Sequence, residues 1–263
     1  MSTVYIYAVL LNFDLYLFVI NDKLNNKLLK GNGFIMTKFN CKYILFDLDG
    51  TITESDPGIT RSIKYALEKN SMVSPSLEEL KIFVGPPLGE KFMEVFGVSQ
   101  EMADKLLVSY RERYNPIGKY ECNIYDGIVD ALKQLREMGK VLCVATSKPE
   151  AAAKDVLAHF GLTEYFDLIG GDTAEHTRPN KTAVINYVME SMNISDKDDI
   201  IMVGDTHYDV EGANKIGIKC IGVTYGYSGH QMIDQAREMI AHGDLGEIRV
   251  INMSFAYGGY NWK

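Results

Sequence analysis

Several things are scarce in this sequence. Its 263 residues contain four cysteines, Cys41, Cys122, Cys143 and Cys220, scattered with no CxxC spacing. That pattern argues against a zinc site and fits free thiols in a reducing compartment. Positive charge is not in excess: 27 Lys and Arg stand against 35 Asp and Glu, a formal net charge of -8. A nucleic-acid partner is not expected on that balance. An anionic substrate would have to be drawn in by a metal or a few placed cations, not by the overall field. There is no internal repeat and no low-complexity linker. No Lys or Arg precedes Lys23, so the basic stretch of a secretory signal is missing.

One apolar run approaches membrane length, TVYIYAVLLNFDLYLFVI at 3–20, but Asn12 and Asp14 sit near its middle. A central Asp costs about 2.5–3.5 kcal/mol on insertion scales. Were it to insert, Lys23, Lys27 and Lys30 behind it would keep the rest of the chain in the cytoplasm. Residues 1–39 are therefore read as a leader, either a weak anchor or the result of a start codon placed upstream of a true one at Met36. The second reading is preferred because the domain pattern begins only after it. A membrane partner is not expected, and a cytoplasmic location follows.

What is present is 46% hydrophobic and 24% charged residues, enough for one globular domain plus an insert. The stretch YILFDLDGTIT at 43–53 ends an apolar run on two carboxylates, Asp47 and Asp49. Tyr43 to Phe46 read as a buried strand with Gly50 as its breaker. Side chains two apart on an extended chain share a side, so both carboxylates would face one crevice beyond the strand's carboxyl end. A divalent cation could hold the pair together, or one partner could keep a proton and act as an acid.

Residues 57–122 contain no convincing strand. GITRSIKYALEKN, SLEELKIFV, LGEKFMEVFG and SQEMADKLLVSYRERY have apolar residues three and four apart, with Gly85-Pro86-Pro87 as a breaker. Afterwards helices alternate with the apolar strands VLCVAT, FDLIGG, IIMVGD and KCIGVTYG. The expected fold is α/β: a Rossmann-like parallel core from 40–56 and 123–238, with a helical cap inserted at 57–122. Residues 239–263 form an atypical tail, read either as a diverged last strand or as a foreign segment. Two more strand ends and one helix start carry polar groups: Thr146, Ser147 and Lys148; Asp205, with Asp209 one helical turn on; and Lys181 opening a helix. On parallel strands these meet Asp47 and Asp49 at one edge, a set suited to a magnesium ion bridging to a phosphoryl group. Lys148 and Arg178 are expected to be solvated, and His207 to be exposed or just outside the site.

DLDGT at 47–51, Thr146 after an apolar strand, Lys181 and GDTHYD at 204–209 together resemble the haloacid dehalogenase superfamily, in its phosphoglycolate-phosphatase-like branch with a small helical cap. The resemblance spans roughly residues 40–238. It implies Asp47 as the nucleophile that becomes an aspartyl phosphate and Asp49 as the acid/base. It implies Mg²⁺ held by Asp47, Asp205 and the backbone carbonyl of Asp49, with Asp209 holding ligand waters. It implies Thr146 and Lys181, with Ser147 beside them, on the phosphoryl oxygens. The loop Gly85, Pro86, Pro87 and Leu88 resembles one that faces the site from the cap. The implied activity is a Mg²⁺-dependent phosphatase acting on a small phosphorylated metabolite. A phosphomutase of the β-phosphoglucomutase type is the alternative, and a non-catalytic binding protein a more distant one.

Overall fold

The computed structural model describes residues 41–85, 87–223 and 225–227, together with the backbone of strands at 4–11, 14–21 and 36–38. Strand β1 (Val4–Leu11) pairs antiparallel with β2 (Asp14–Asn21), in register from Val4↔Asn21 to Leu11↔Asp14, and β2 pairs with β3 (Met36–Lys38). The apolar run near the amino end is thus a pair of strands. Among the described residues no helix is long and apolar enough to cross a membrane. Pro86 and the tail at 239–263 lie outside the described residues.

Strand β4 (Tyr43–Phe46) begins the main domain and is followed by the short β5 (Thr53–Glu54). Helix α1 (Asp56–Lys69), a 3-10 turn at Glu79–Phe83, α2 (Leu88–Phe96) and α3 (Gln100–Tyr114) come next. The chain returns through β6 (Asn123–Ile124) to α4 (Ile128–Glu137), β7 (Val141–Pro149), α5 (Glu150–His159) and β8 (Leu168–Asp172). It closes with α6 (Lys181–Ser191), β9 (Ile200–Gly204), α7 (His207–Ile216) and β10 (Lys219–Gly222). The segment SLEELKIFV, expected as an amphipathic helix, forms only the five-residue 3-10 turn. The breaker at Gly85–Pro87 leaves it too short to pass the nucleation cost of an α-helix.

The fold is α/β. Five parallel strands run in the order β10-β9-β4-β7-β8, so the first strand of the domain lies at the centre. Apolar residues occupy both faces of these strands because both faces are covered by helices. Ile44 and Phe46 pack with Ile128 and Leu132 of α4 and Ala153 and Leu157 of α5 on one side. Leu45, Cys143 and Ala145 pack with Val184, Ile185 and Val188 of α6 and Ala213 and Ile216 of α7 on the other. Connections leave β4 towards β7 on one side and return to β9 on the other, which makes the gap beside β4 a topological switch point. Phe46 is paired with both Val144 and Val203. That register sets Asp47 level with Ala145 and Gly204, with Thr146 and Asp205 one residue further along the same edge.

The cap has its own core, with Ile63, Leu67, Leu80, Phe83, Phe92, Leu106, Tyr110 and Tyr114 buried together. Its two crossings to the sheet are tied by β5–β6 pairing, Thr53↔Ile124 and Glu54↔Asn123. Arg113 of α3 pairs with Glu121 on the returning crossing at 2.7 Å and donates to the Ser62 hydroxyl on α1 at 3.1 Å.

Candidate active site

The sheet edge collects one lysine and three carboxylates. Asp47 leaves β4 with its own N–H bonded to the Val203 carbonyl at 2.8 Å, and its Oδ1 accepts the Leu48 N–H at 2.8 Å. Lys181 is the first residue of α6, whose start is capped by Asn180 Oδ1 accepting the Ala183 N–H at 3.0 Å. From there its Nζ reaches the Ala145 carbonyl at 3.1 Å and forms ion pairs of 2.8 Å with both Asp47 Oδ1 and Asp209 Oδ1. Asp209, in the first turn of α7, accepts from the N–H and hydroxyl of Thr206 through Oδ2 at 3.1 and 2.9 Å. Its buried Oδ1 has no aligned hydrogen bond, so the lysine satisfies it by charge alone. Asp205 accepts from the Thr51 hydroxyl at 3.3 Å and the Tyr227 N–H at 2.8 Å.

Two glycines make the cluster possible. A Cβ on Gly204 would lie 2.2 Å from Asp209 Cγ, and one on Gly50, at φ +88°, would lie 2.3 Å from Asp205 Oδ2. No other residue type fits either place, and the left-handed backbone at Gly50 adds a second reason there.

Carboxylate oxygens of Asp47, Asp205 and Asp209 all lie within 4.8 Å of one another, and all three residues are buried. Burial raises the Asp47 pKa to about 6, the charge of Asp209 adds to that, and the Lys181 ammonium opposes it. Burial likewise pushes Asp205 well above the ordinary carboxylate range, reinforced by Asp209 and Asp47. Burial works against the Lys181 ammonium too, but Asp209 and Asp47 outweigh it and hold the pKa above its ordinary value. Three desolvated carboxylates against one ammonium leave negative charge uncompensated, with an under-bonded oxygen among them. Hard oxygen donors in that condition fit a small divalent cation such as Mg²⁺.

Asp49 stands apart from this cluster. Its two oxygens take the Lys148 ammonium at 2.9 and 2.8 Å, and Oδ1 also accepts the Ser55 hydroxyl. Thr146 is buried in the second half of β7 and its hydroxyl accepts the Lys148 N–H at 3.3 Å. Ser147 is exposed, between the buried Thr146 and Lys148, and is not brought to the cluster. The cap loop comes near: a Cβ on Gly85 would lie 3.7 Å from Thr206 Cγ2. His207 is half-buried against the Tyr208 ring.

Two expectations are corrected. Lys148 is not a solvated lysine: its side chain is 4% exposed and paired with Asp49. Burial alternates from Thr146 through Ser147 to Lys148, although the register against β8 shifts after Ala145, and the spacing of two in VLCVATSK carried that signal. Arg178 is not free in solvent either; it pairs with Glu150 at 2.7 Å and lies over the Tyr187 ring at 3.8 Å. The segment after β10 is a further surprise. Tyr225 donates its hydroxyl to the Thr51 carbonyl at 2.8 Å, and the Tyr227 oxygen accepts the N–H groups of Ser55 and Asp56. No motif in the sequence marks these tyrosines, because their role depends on where the chain turns back.

This sheet order, the strand-end carboxylates and the inserted cap define a class of hydrolase. The haloacid dehalogenase-like hydrolase family model matches residues 44–223, and the chain belongs to that family. It is 36% identical over 208 residues to a 5'-nucleotidase of Pseudomonas aeruginosa, covering 79% of this chain and 94% of that protein. It is 31% identical over 204 residues to a phosphoglycolate phosphatase of Vibrio vulnificus, covering 73% and 88%. A crystal structure described as a predicted phosphatase from Clostridium acetobutylicum superposes with a TM-score of 0.72 at 42% identity, covering 81% of this chain and 94% of that one. The chain is an enzyme, a phosphoric monoester hydrolase of the haloacid dehalogenase type.

Proposed function

We propose that this enzyme is a Mg²⁺-dependent phosphatase for a small phosphorylated metabolite and works through an aspartyl phosphate on Asp47. The observation that carries the reading is the buried trio Asp47, Asp205 and Asp209 with Lys181 ion-paired across it. The Leu48 N–H and the Lys181 ammonium both engage Asp47 Oδ1, which fixes the plane of the carboxylate for attack on phosphorus. Asp47, Asp205 and the Asp49 carbonyl, with Asp209 alongside, would hold Mg²⁺, which neutralises phosphoryl charge when bound. Lys181 and Thr146 bind phosphoryl oxygens. Asp49 protonates the leaving oxygen as the Asp47–phosphorus bond forms, then takes a proton from the water that breaks it. Ser147 has no part in this scheme. The names of the relatives support a phosphoglycolate-like acid or a nucleotide as substrate, with sugar phosphates the third class.

The test is phosphate release from a panel of these metabolites with Mg²⁺, beside the Asp47→Asn protein. Release by the native enzyme alone is expected. Conversion of a hexose 1-phosphate to its isomer without release, dependent on catalytic bisphosphate, would identify a mutase instead.

A further inference from the structure

We propose that Lys148 and Tyr114 form a latch between core and cap that sets the position of the Asp49 carboxylate. The proposal rests on Asp49 being the acid/base of the reaction above, and it adds two positioning residues to that reading.

Lys148 belongs to the core, near the end of β7, and Tyr114 is the last residue of α3 in the cap. The Lys148 ammonium lies 2.9 and 2.8 Å from the two oxygens of Asp49 and donates to the Tyr114 hydroxyl. An ammonium has three donors, so all are used: two on the carboxylate and one on the cap. The Tyr114 ring is itself held, stacked on Tyr110 with centroids 4.9 Å apart and planes 16° apart. Both Lys148 and Tyr114 are buried, so little water competes for their contact. Charge-assisted bonds are stronger in such surroundings.

One cation is thus shared by an acid/base carboxylate on the core and a hydroxyl on the cap. When the cap swings away on its crossings, the Tyr114 contact must break, and the ammonium that orients Asp49 loses its third partner. When the cap docks, the ammonium is pinned and Asp49 with it. The position of the cap is therefore read directly at the group that handles the proton. A Lys148 that only neutralised Asp49 would need no tyrosine from the cap.

The experiment uses the full chain with Tyr114→Phe, which keeps the stacked ring, Lys148→Met, which keeps the aliphatic stem, and the double variant. Hydrogen exchange is followed at the crossings, residues 53–56 and 118–124, without substrate. Each single variant is expected to speed exchange there by about tenfold, the order of a lost hydrogen bond to a charged group, and the double variant no further. In turnover, Tyr114→Phe should raise KM with a smaller change in kcat, whereas Lys148→Met should lower kcat. Unchanged exchange in Tyr114→Phe, or effects that simply add in the double variant, overturns the latch. Should Lys148→Met not fold, Tyr114→Phe still decides by exchange and by the split between KM and kcat. The exchange measurement needs no substrate, so it stands even where the phosphate-release panel fails, and failure of the two readings is told apart.

Discussion

The Lys181 ammonium lies 2.8 Å from Asp47 Oδ1, a buried ion pair that joins the end of β4 to the start of α6. Removing one partner of such a pair costs about 3–5 kcal/mol, because the other charge is stranded. Lys181→Met is therefore expected to lower the Tm sharply and to abolish turnover. Asp47→Asn leaves Lys181 paired with Asp209 at 2.8 Å, so it should stay folded and inactive. Thermal melts and phosphate release on the two variants check this.

Asp49→Asn should be folded and slow. General acid–base assistance is worth about 10²–10⁴-fold, and turnover is expected to fall by that order. Slow formation of labelled phosphoenzyme on Asp47 should persist, because the nucleophile remains and only the proton for the leaving oxygen is lost. Rapid-quench labelling with phosphate monoester substrate measures it.

Chelation should silence the enzyme and Mg²⁺ restore it. Ca²⁺ takes more ligands in a looser geometry and should fail to replace it. Activity titrations after EDTA treatment, with each ion added back, give the answer; full activity in excess chelator would sink the metal assignment.

Asp47 has a folded pKa of about 6 against an ordinary 3.8, so the folded state holds this proton more tightly than the unfolded chain. Its contribution to stability is complete below the ordinary value and is lost as pH rises through about 6. Asp205 is shifted in the same direction. Metal-free protein should therefore lose Tm as pH rises from about 4 through about 6, and Asp47→Asn should reduce that slope. Mg²⁺ competes with these protons, so the Tm gain on adding it should be larger near pH 7 than near pH 5.

A chain of residues 36–240 is expected to keep its activity, since every side chain placed at the site lies between Asp47 and Tyr227. Specific activity beside the full chain tests it. Loss of turnover in a truncated chain that circular dichroism shows to be folded would mean an end segment contributes to the site.

The five strands and the interruption after the first were legible because buried parallel strands read as short apolar runs, and YILF, VLCVA and IIMV are such runs. The meeting of Asp47, Asp205 and Lys181 followed from two strand ends and one helix start at the same sheet edge. The partner of Asp49 did not. Lysine is read as solvated by default, and only counting two residues on from Thr146 turns Lys148 inward. Tyr114 was hidden for another reason: on a helix of the cap it looks like core, and nothing local says that its hydroxyl reaches across to a different domain. Tyr225 and Tyr227 depend on long-range chain return, which periodicity does not encode.

The pairing of Thr53 with Ile124 and Glu54 with Asn123 has a consequence for how this chain can vary. The two ends of the cap are neighbours, so the core sees the cap as a closed loop whose entropic cost grows only with the logarithm of its length. Doubling such a loop costs about 0.6 kcal/mol. Helices can then be gained, lost or exchanged between the crossings with little penalty to the sheet, leaving the phosphoryl chemistry constant while the shape above it drifts.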